Sequence, residues 1–271
     1  MGAIIRKFRG RNDKRRLMMR NGTSVLKELI ASSNAQMSHN HILKLIGCCL
    51  ETPIPILVFE SVEYGTLRDC IFGATPPQLK IARDIANSLA YLHFGFPRPI
   101  VFRNVKTENI LFNEENVAKF FDFSLSISIP EGETHITTDG VIGTRGYSAP
   151  EYISICVLNE KSDVFSFGAF LFELLAGRIH IWDLLKDTHD HGCFFNEYLN
   201  NYLEDKRFTE IAAPIIVQDI PCIEKEQQLH ASAQLTLECV NNSPEDKPNK
   251  KKKKNSDKFI ALACNFLNYT P

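Results

Sequence analysis

The stretch that decides the fold is Phe102-Arg103-Asn104-Val105-Lys106-Thr107-Glu108-Asn109. An arginine, a lysine and two carboxamides crowd into one short loop. Downstream, the apolar run from Val117 to Phe121 reads as a short strand and ends in Asp122-Phe123-Ser124. Gly143-Thr144-Arg145-Gly146-Tyr147-Ser148-Ala149-Pro150-Glu151 follows, and then Lys161-Ser162-Asp163. The apolar stretch from Val164 to Leu175 is too short to span a membrane and long enough for a buried helix.

In order and spacing these segments resemble the C-terminal lobe of a protein kinase. The loop matches H-R-D-L-x-x-x-N, Asp122-Phe123-Ser124 stands for D-F-G, and Ala149-Pro150-Glu151 for A-P-E. Any one of these motifs could arise by chance, whereas four in register make a strong signal. Two functional letters of the loop are changed. The catalytic Asp has become Asn104 and the His has become Phe102. A carboxylate can take the proton of a substrate hydroxyl, and a neutral carboxamide has no useful basicity near pH 7. Phe102 keeps apolar bulk where a His would pack against the Phe of D-F-G, so the column with Phe123 is expected to survive.

The resemblance implies roles for the letters that remain. Asp122 and Asn109 stand at the two metal-ligand positions, Lys106 where a lysine steadies the transferred phosphoryl group, and Arg103 where an arginine can meet a phosphorylated activation segment. They mark a residual Mg-ATP site, or polar groups that now only tie loops together. No cofactor is required on the second reading, which the missing parts favour. No G-x-G-x-x-G precedes residue 38, and no V-A-I-K is found there. A positioned base contributes about 10²–10⁴-fold to a rate, and the lid and lysine that hold the phosphates carry much of the rest. The expectation is no intact catalytic set.

Further stretches narrow the resemblance. His39 to Thr52, Ile56 to Glu60 and Tyr64-Gly65-Thr66-Leu67 resemble plant wall-associated receptor kinases. Phe123 to Thr134 is similar to plant cytoplasmic pseudokinases that act as adaptors for an NLR immune receptor, and Asn21-Gly22, Leu26 and Leu29-Ile30 resemble the segment preceding the kinase domain in that family. The implied fold is α+β, protein-kinase-like, with a truncated N-terminal lobe lacking strands 1–3 and most of helix C, and a helical C-terminal lobe. The boundaries are 1–37 for a basic segment with a short amphipathic helix, 38–249 for the kinase-like domain, and 250–271 for a lysine-rich tail.

Composition bounds the rest. A hydrophobic fraction of 44% is ample for a core, and a net charge of −1 gives no drive toward nucleic acid. The eight cysteines lack metal-ligand spacing and read as small apolar residues or free thiols of a reducing cytosol. The basic residues between Arg6 and Arg20 read as a flexible arm able to touch an anionic membrane surface. Met1-Gly2 opens like a myristoylation site, with Arg6 where Ser or Thr is required. The expected location is the cytoplasm, peripheral at the plasma membrane.

Three readings stay open. The first is an inactive adaptor whose partners, by resemblance, are an NLR receptor or cytoplasmic kinases. Leu26 and Leu29 would offer it an apolar stripe, and Thr137, Thr138 and Thr144 sites for modification by another enzyme. The second is a weak Ser/Thr kinase. The third is a poorly folding product, because a strand pair without further partners is marginal by itself.

Overall fold

The computed structural model describes residues 3–7, 39–49, 56–60, 65–71, 78–112, 115, 117–176 and 223–240. The elements in chain order are β1 (Ala3–Lys7), β2 (Leu45–Cys49), β3 (Ile56–Glu60), α1 (Leu67–Ile71), α2 (Gln78–Phe94), β4 (Ile100–Val101), β5 (Ile110–Phe112), β6 (Ala118–Phe120), β7 (Ile127–Ser128), β8 (Ile136–Thr137), α3 (Pro150–Ile155), β9 (Val157–Leu158), α4 (Glu160–Ala176) and α5 (Ile223–Val240). The mixture of helices and strands agrees with the expected α+β class.

Three strands form a sheet in the order β1-β3-β2, antiparallel throughout. The pairing of β1 runs from Ala3 opposite Glu60 to Lys7 opposite Ile56. This corrects the expectation of a bare hairpin and of a structureless arm over these residues. The charges around Arg6, Lys7, Arg9 and Arg11 hid a short strand. Ile4 and Ile5 are β-branched, and the open edge of β3 supplies the hydrogen bonds that such a segment lacks alone. The short amphipathic helix expected around Leu26 and Leu29 and the lysine-rich tail over 250–271 lie outside the described residues.

The C-terminal lobe is built on α4. Every residue from Ser162 to Ala176 is buried, including Phe167, Phe170, Leu171 and Leu174. A helix apolar all round belongs inside, which is why its sequence shows a run in place of a stripe. Helix α2 does show a stripe: Ile81, Ile85, Leu89 and Leu92 are fully buried or nearly so. Gly168 lets α5 approach α4 closely, since a Cβ there would lie 2.7 Å from Cys239 Cβ. Helix α3 begins with Pro150, whose fixed φ suits the first helical turn, and ends at Cys156 in the left-handed region (φ 56°). Among the described residues no helix is long and apolar enough to cross a membrane.

Candidate functional site

The loop of residues 102–109 lies between β4 and β5 and is anchored by Asp163 near the start of α4. Asp163 is fully buried. Its Oδ2 accepts from the Phe102 N–H at 2.7 Å and lies 2.9 Å from His93 Nε2, and its Oδ1 accepts from the Arg103 N–H at 2.8 Å. One carboxylate therefore holds the backbone of the loop in place. Arg103 sits at φ 70°, a left-handed conformation that costs a non-glycine residue about 1–2 kcal/mol and persists where the surroundings impose it.

Phe102 keeps the apolar column. It stacks on Phe120 with centroids 4.1 Å apart and meets Phe123 edge-on at 5.2 Å. The ring continues the packing between loop and D-F-G equivalent that the sequence predicts. Asp122 Oδ1 accepts from the Ser124 N–H at 3.1 Å, an Asx turn that fits a serine where the family has glycine.

Asn104 is turned toward the activation segment. Its Oδ1 accepts from the Thr144 hydroxyl at 2.7 Å, and its carbonyl accepts from Asn109 Nδ2 at 2.8 Å. With that nitrogen committed, the oxygen of Asn109 is the atom a cation would use. The carboxylate of Asp122 and the carboxamide oxygen of Asn109 are the hard donors that Mg²⁺ prefers, so the pair fits such an ion chemically. Lys106 is partly buried at the start of the short 3₁₀ turn over Thr107–Asn109.

Arg103 is engaged from two directions. Its Nη1 donates to the Leu125 carbonyl at 3.3 Å, its Nη2 donates to the Tyr152 hydroxyl, and its Cζ lies 5.5 Å from the centre of the Tyr152 ring. Glu173 on α4 joins loop and segment once more, accepting from the Thr107 hydroxyl at 3.2 Å and from the Tyr147 hydroxyl at 2.5 Å. Burial and the Glu173 carboxylate push the Tyr147 phenol well above its usual pKa, so it stays a donor. Glu151 is half-buried and its carboxyl is pushed upward by burial.

The three threonines of the segment differ. Thr137 is exposed on β8, which pairs with β9. Thr138 is half-buried, and its hydroxyl donates to the Gly140 and Cys156 carbonyls at 2.9 and 3.4 Å. Thr144 is half-buried against Asn104. The structure thus brings Phe102, Arg103, Asn104, Asn109 and Thr144 into one network and leaves Thr137 at the surface. Tyr152 and Glu173 went unseen in the sequence. A buried phenol or carboxylate always needs partners, which was the available signal, but the partners are distant in the chain.

The motifs, their order and this geometry define a protein kinase domain. The family model of that domain matches residues 7–271, and the chain belongs to the family. Its relatives include "Wall-associated receptor kinase 5" of Arabidopsis thaliana, 37% identical over 224 residues that cover 80% of this chain and 30% of that protein. They also include "Non-functional pseudokinase ZRK2", 34% identical over 236 residues covering 83% and 64%, and "Serine/threonine-protein kinase ZRK1", 35% identical over 225 residues covering 79% and 63%, both of Arabidopsis thaliana. The chain spans half or less of the wall-associated receptor kinases it matches, and under two thirds of the two shorter relatives.

Proposed function

We propose that this chain is a catalytically inactive pseudokinase that serves as a protein-interaction adaptor in plant receptor or immune signalling. The observation that carries the reading is Asn104. It stands at the position of the catalytic base, carries no basic atom, and gives its side-chain oxygen to Thr144 of its own activation segment. The apolar column and the Asp163 anchor of the loop are kept beside it, so the scaffold persists where the base does not. A relative named a non-functional pseudokinase supports the same reading. By the resemblance of Phe123 to Thr134, the partner is an NLR receptor or a cytoplasmic kinase. The location proposed is the cytoplasm, at the inner face of the plasma membrane through the basic residues before Asn21.

A second reading is a weak Ser/Thr kinase. Asp122, Asn109 and Lys106 retain the residue types of an active site, and one relative is named a serine/threonine-protein kinase.

Transfer of labelled phosphate from Mg-ATP to a generic substrate separates the two. The expected result is no turnover by the protein and none by Asn104→Asp, because a base is one part among several and the chain carries no glycine-rich lid. Turnover by either form, abolished by Asp122→Ala, would establish the kinase reading and overturn the adaptor one.

A further inference from the structure

Tyr152, on α3 directly after A-P-E, is buried, and its hydroxyl makes three contacts. It accepts from Arg103 Nη2 and from the Ile142 N–H at 2.9 Å, and it donates to the Gly140 carbonyl at 3.3 Å. A phenol has one proton and two lone pairs, so its hydrogen-bonding capacity is filled. Its ring lies under the guanidinium, which is 5.5 Å away and belongs to a residue only 7% exposed. One side chain thus ties three separate pieces of chain together: the loop through Arg103, the segment through Gly140 and Ile142, and the helix that follows.

We propose that Tyr152 is a latch that holds residues 140–146 of the activation segment against the catalytic-loop arginine without any phosphate group. The neighbouring contacts point the same way. Thr144 and Thr138 already use their hydroxyls inside the network, and a phosphoryl group on either would break those bonds. Tyr147 is held by Glu173, and its carbonyl accepts from Ser166 Oγ at 2.5 Å. On the other side, the Ile129 N–H donates to the Pro99 carbonyl at 2.8 Å. Between these anchors residues 130–134 stand exposed, and Thr137 is exposed on β8. A latched segment therefore presents a fixed, accessible surface over 130–137, and chemistry at Thr134 or Thr137 leaves the latch intact.

The Ile142 amide is a direct reporter, because its hydrogen bond goes to the Tyr152 hydroxyl. Hydrogen–deuterium exchange on the full chain, freed of phosphate by phosphatase and checked by intact mass, is expected to show it protected, with the same rate before and after treatment. Tyr152→Phe keeps the ring over Arg103 and removes the hydroxyl. It is expected to speed exchange at Ile142 and across 138–147 about tenfold, the loss of a charge-assisted hydrogen-bond node, with amides of 164–174 unchanged. Continued protection of Ile142 in Tyr152→Phe overturns the latch. If that variant also loses protection in α4, the phosphate-free wild type decides: protection supports the latch, and open-chain exchange that slows only on phosphorylation overturns it. No partner enters the measurement, so the latch and the adaptor reading fail separately.

Discussion

The Asp163 carboxylate holds Arg103 by its backbone, accepting the Arg103 N–H at 2.8 Å while Arg103 sits at φ 70°. The other oxygen takes the Phe102 N–H, so two successive donors converge on one buried anion. Asp163→Asn replaces one acceptor with a donor and sets it against an N–H. The expected loss is about 3 kcal/mol, the scale for breaking a buried, charge-assisted network. Urea unfolding should show a lower midpoint at unchanged slope. An unchanged midpoint would mean that the loop holds its shape without this anchor.

Leu171 is fully buried at the centre of α4. Truncating such a side chain costs about 2–5 kcal/mol, a large share of a domain's total stability. Leu171→Ala is expected to lower the melting midpoint strongly, while Ser154→Ala on the exposed face of α3 leaves it nearly unmoved. Equal effects would place the core elsewhere.

At Gly168 two effects of a methyl group oppose each other. Alanine improves helix propensity by about 1 kcal/mol. Its Cβ would stand 2.7 Å from Cys239 Cβ and 2.8 Å from Val240 Cγ1, and overpacking costs about 1–3 kcal/mol. The clash is expected to win, giving Gly168→Ala a lower unfolding midpoint. A higher midpoint would show that α5 can move away freely.

His39 gives a pH dependence. Its Nδ1 accepts from the His41 N–H at 3.3 Å and its ring stacks on Tyr91 at 4.8 Å. Burial and the neighbouring His41 lower its pKa from 6.5 to about 4, against a small opposite pull from Asp84. The folded protein thus refuses a proton that the unfolded chain accepts. The contribution is whole above pH 6.5 and is lost as pH falls toward about 4. Because the group is partly solvated, the effect is expected to be modest. Melting midpoints followed from about pH 7 to about pH 4.5 should fall less in His39→Gln than in the wild type. Parallel curves would rule out this histidine as a source of the acid sensitivity.

Partner binding tests the adaptor reading directly. Co-precipitation from plant cells is expected to recover an NLR receptor or a cytoplasmic kinase. Leu26→Glu with Leu29→Glu should abolish recovery while the melting transition stays. Binding that survives this double change, or that Asp122→Ala destroys, would move the contact to the cleft.

Much of the site is legible in the amino-acid sequence because its letters are local. Asn104 in the place of a base, Phe102 in the place of a histidine, and the D-F-S and A-P-E triplets lie in short windows whose residue types alone carry the chemistry. The helix over residues 78–94 and the buried helix after Asp163 are equally plain, one from a stripe and the other from an apolar run. β1 is not, because five residues that run into a basic stretch have no period strong enough to outweigh the charge beside them.

The amino-acid sequence by itself determined which catalytic letters this kinase domain keeps and which it has lost, since that depends on residue identity within a motif. The tertiary structure alone decided what those letters touch: Thr144 on Asn104, Tyr152 on Arg103, Glu173 on Tyr147, and β1 along β3. Those partners stand far apart in the chain, 40 residues for Thr144 and Asn104 and 49 for Arg103 and Tyr152. No local periodicity encodes such pairs. They form because a buried donor or acceptor must find a partner, and the packing of α4 against the loop and the segment determines which groups come within reach.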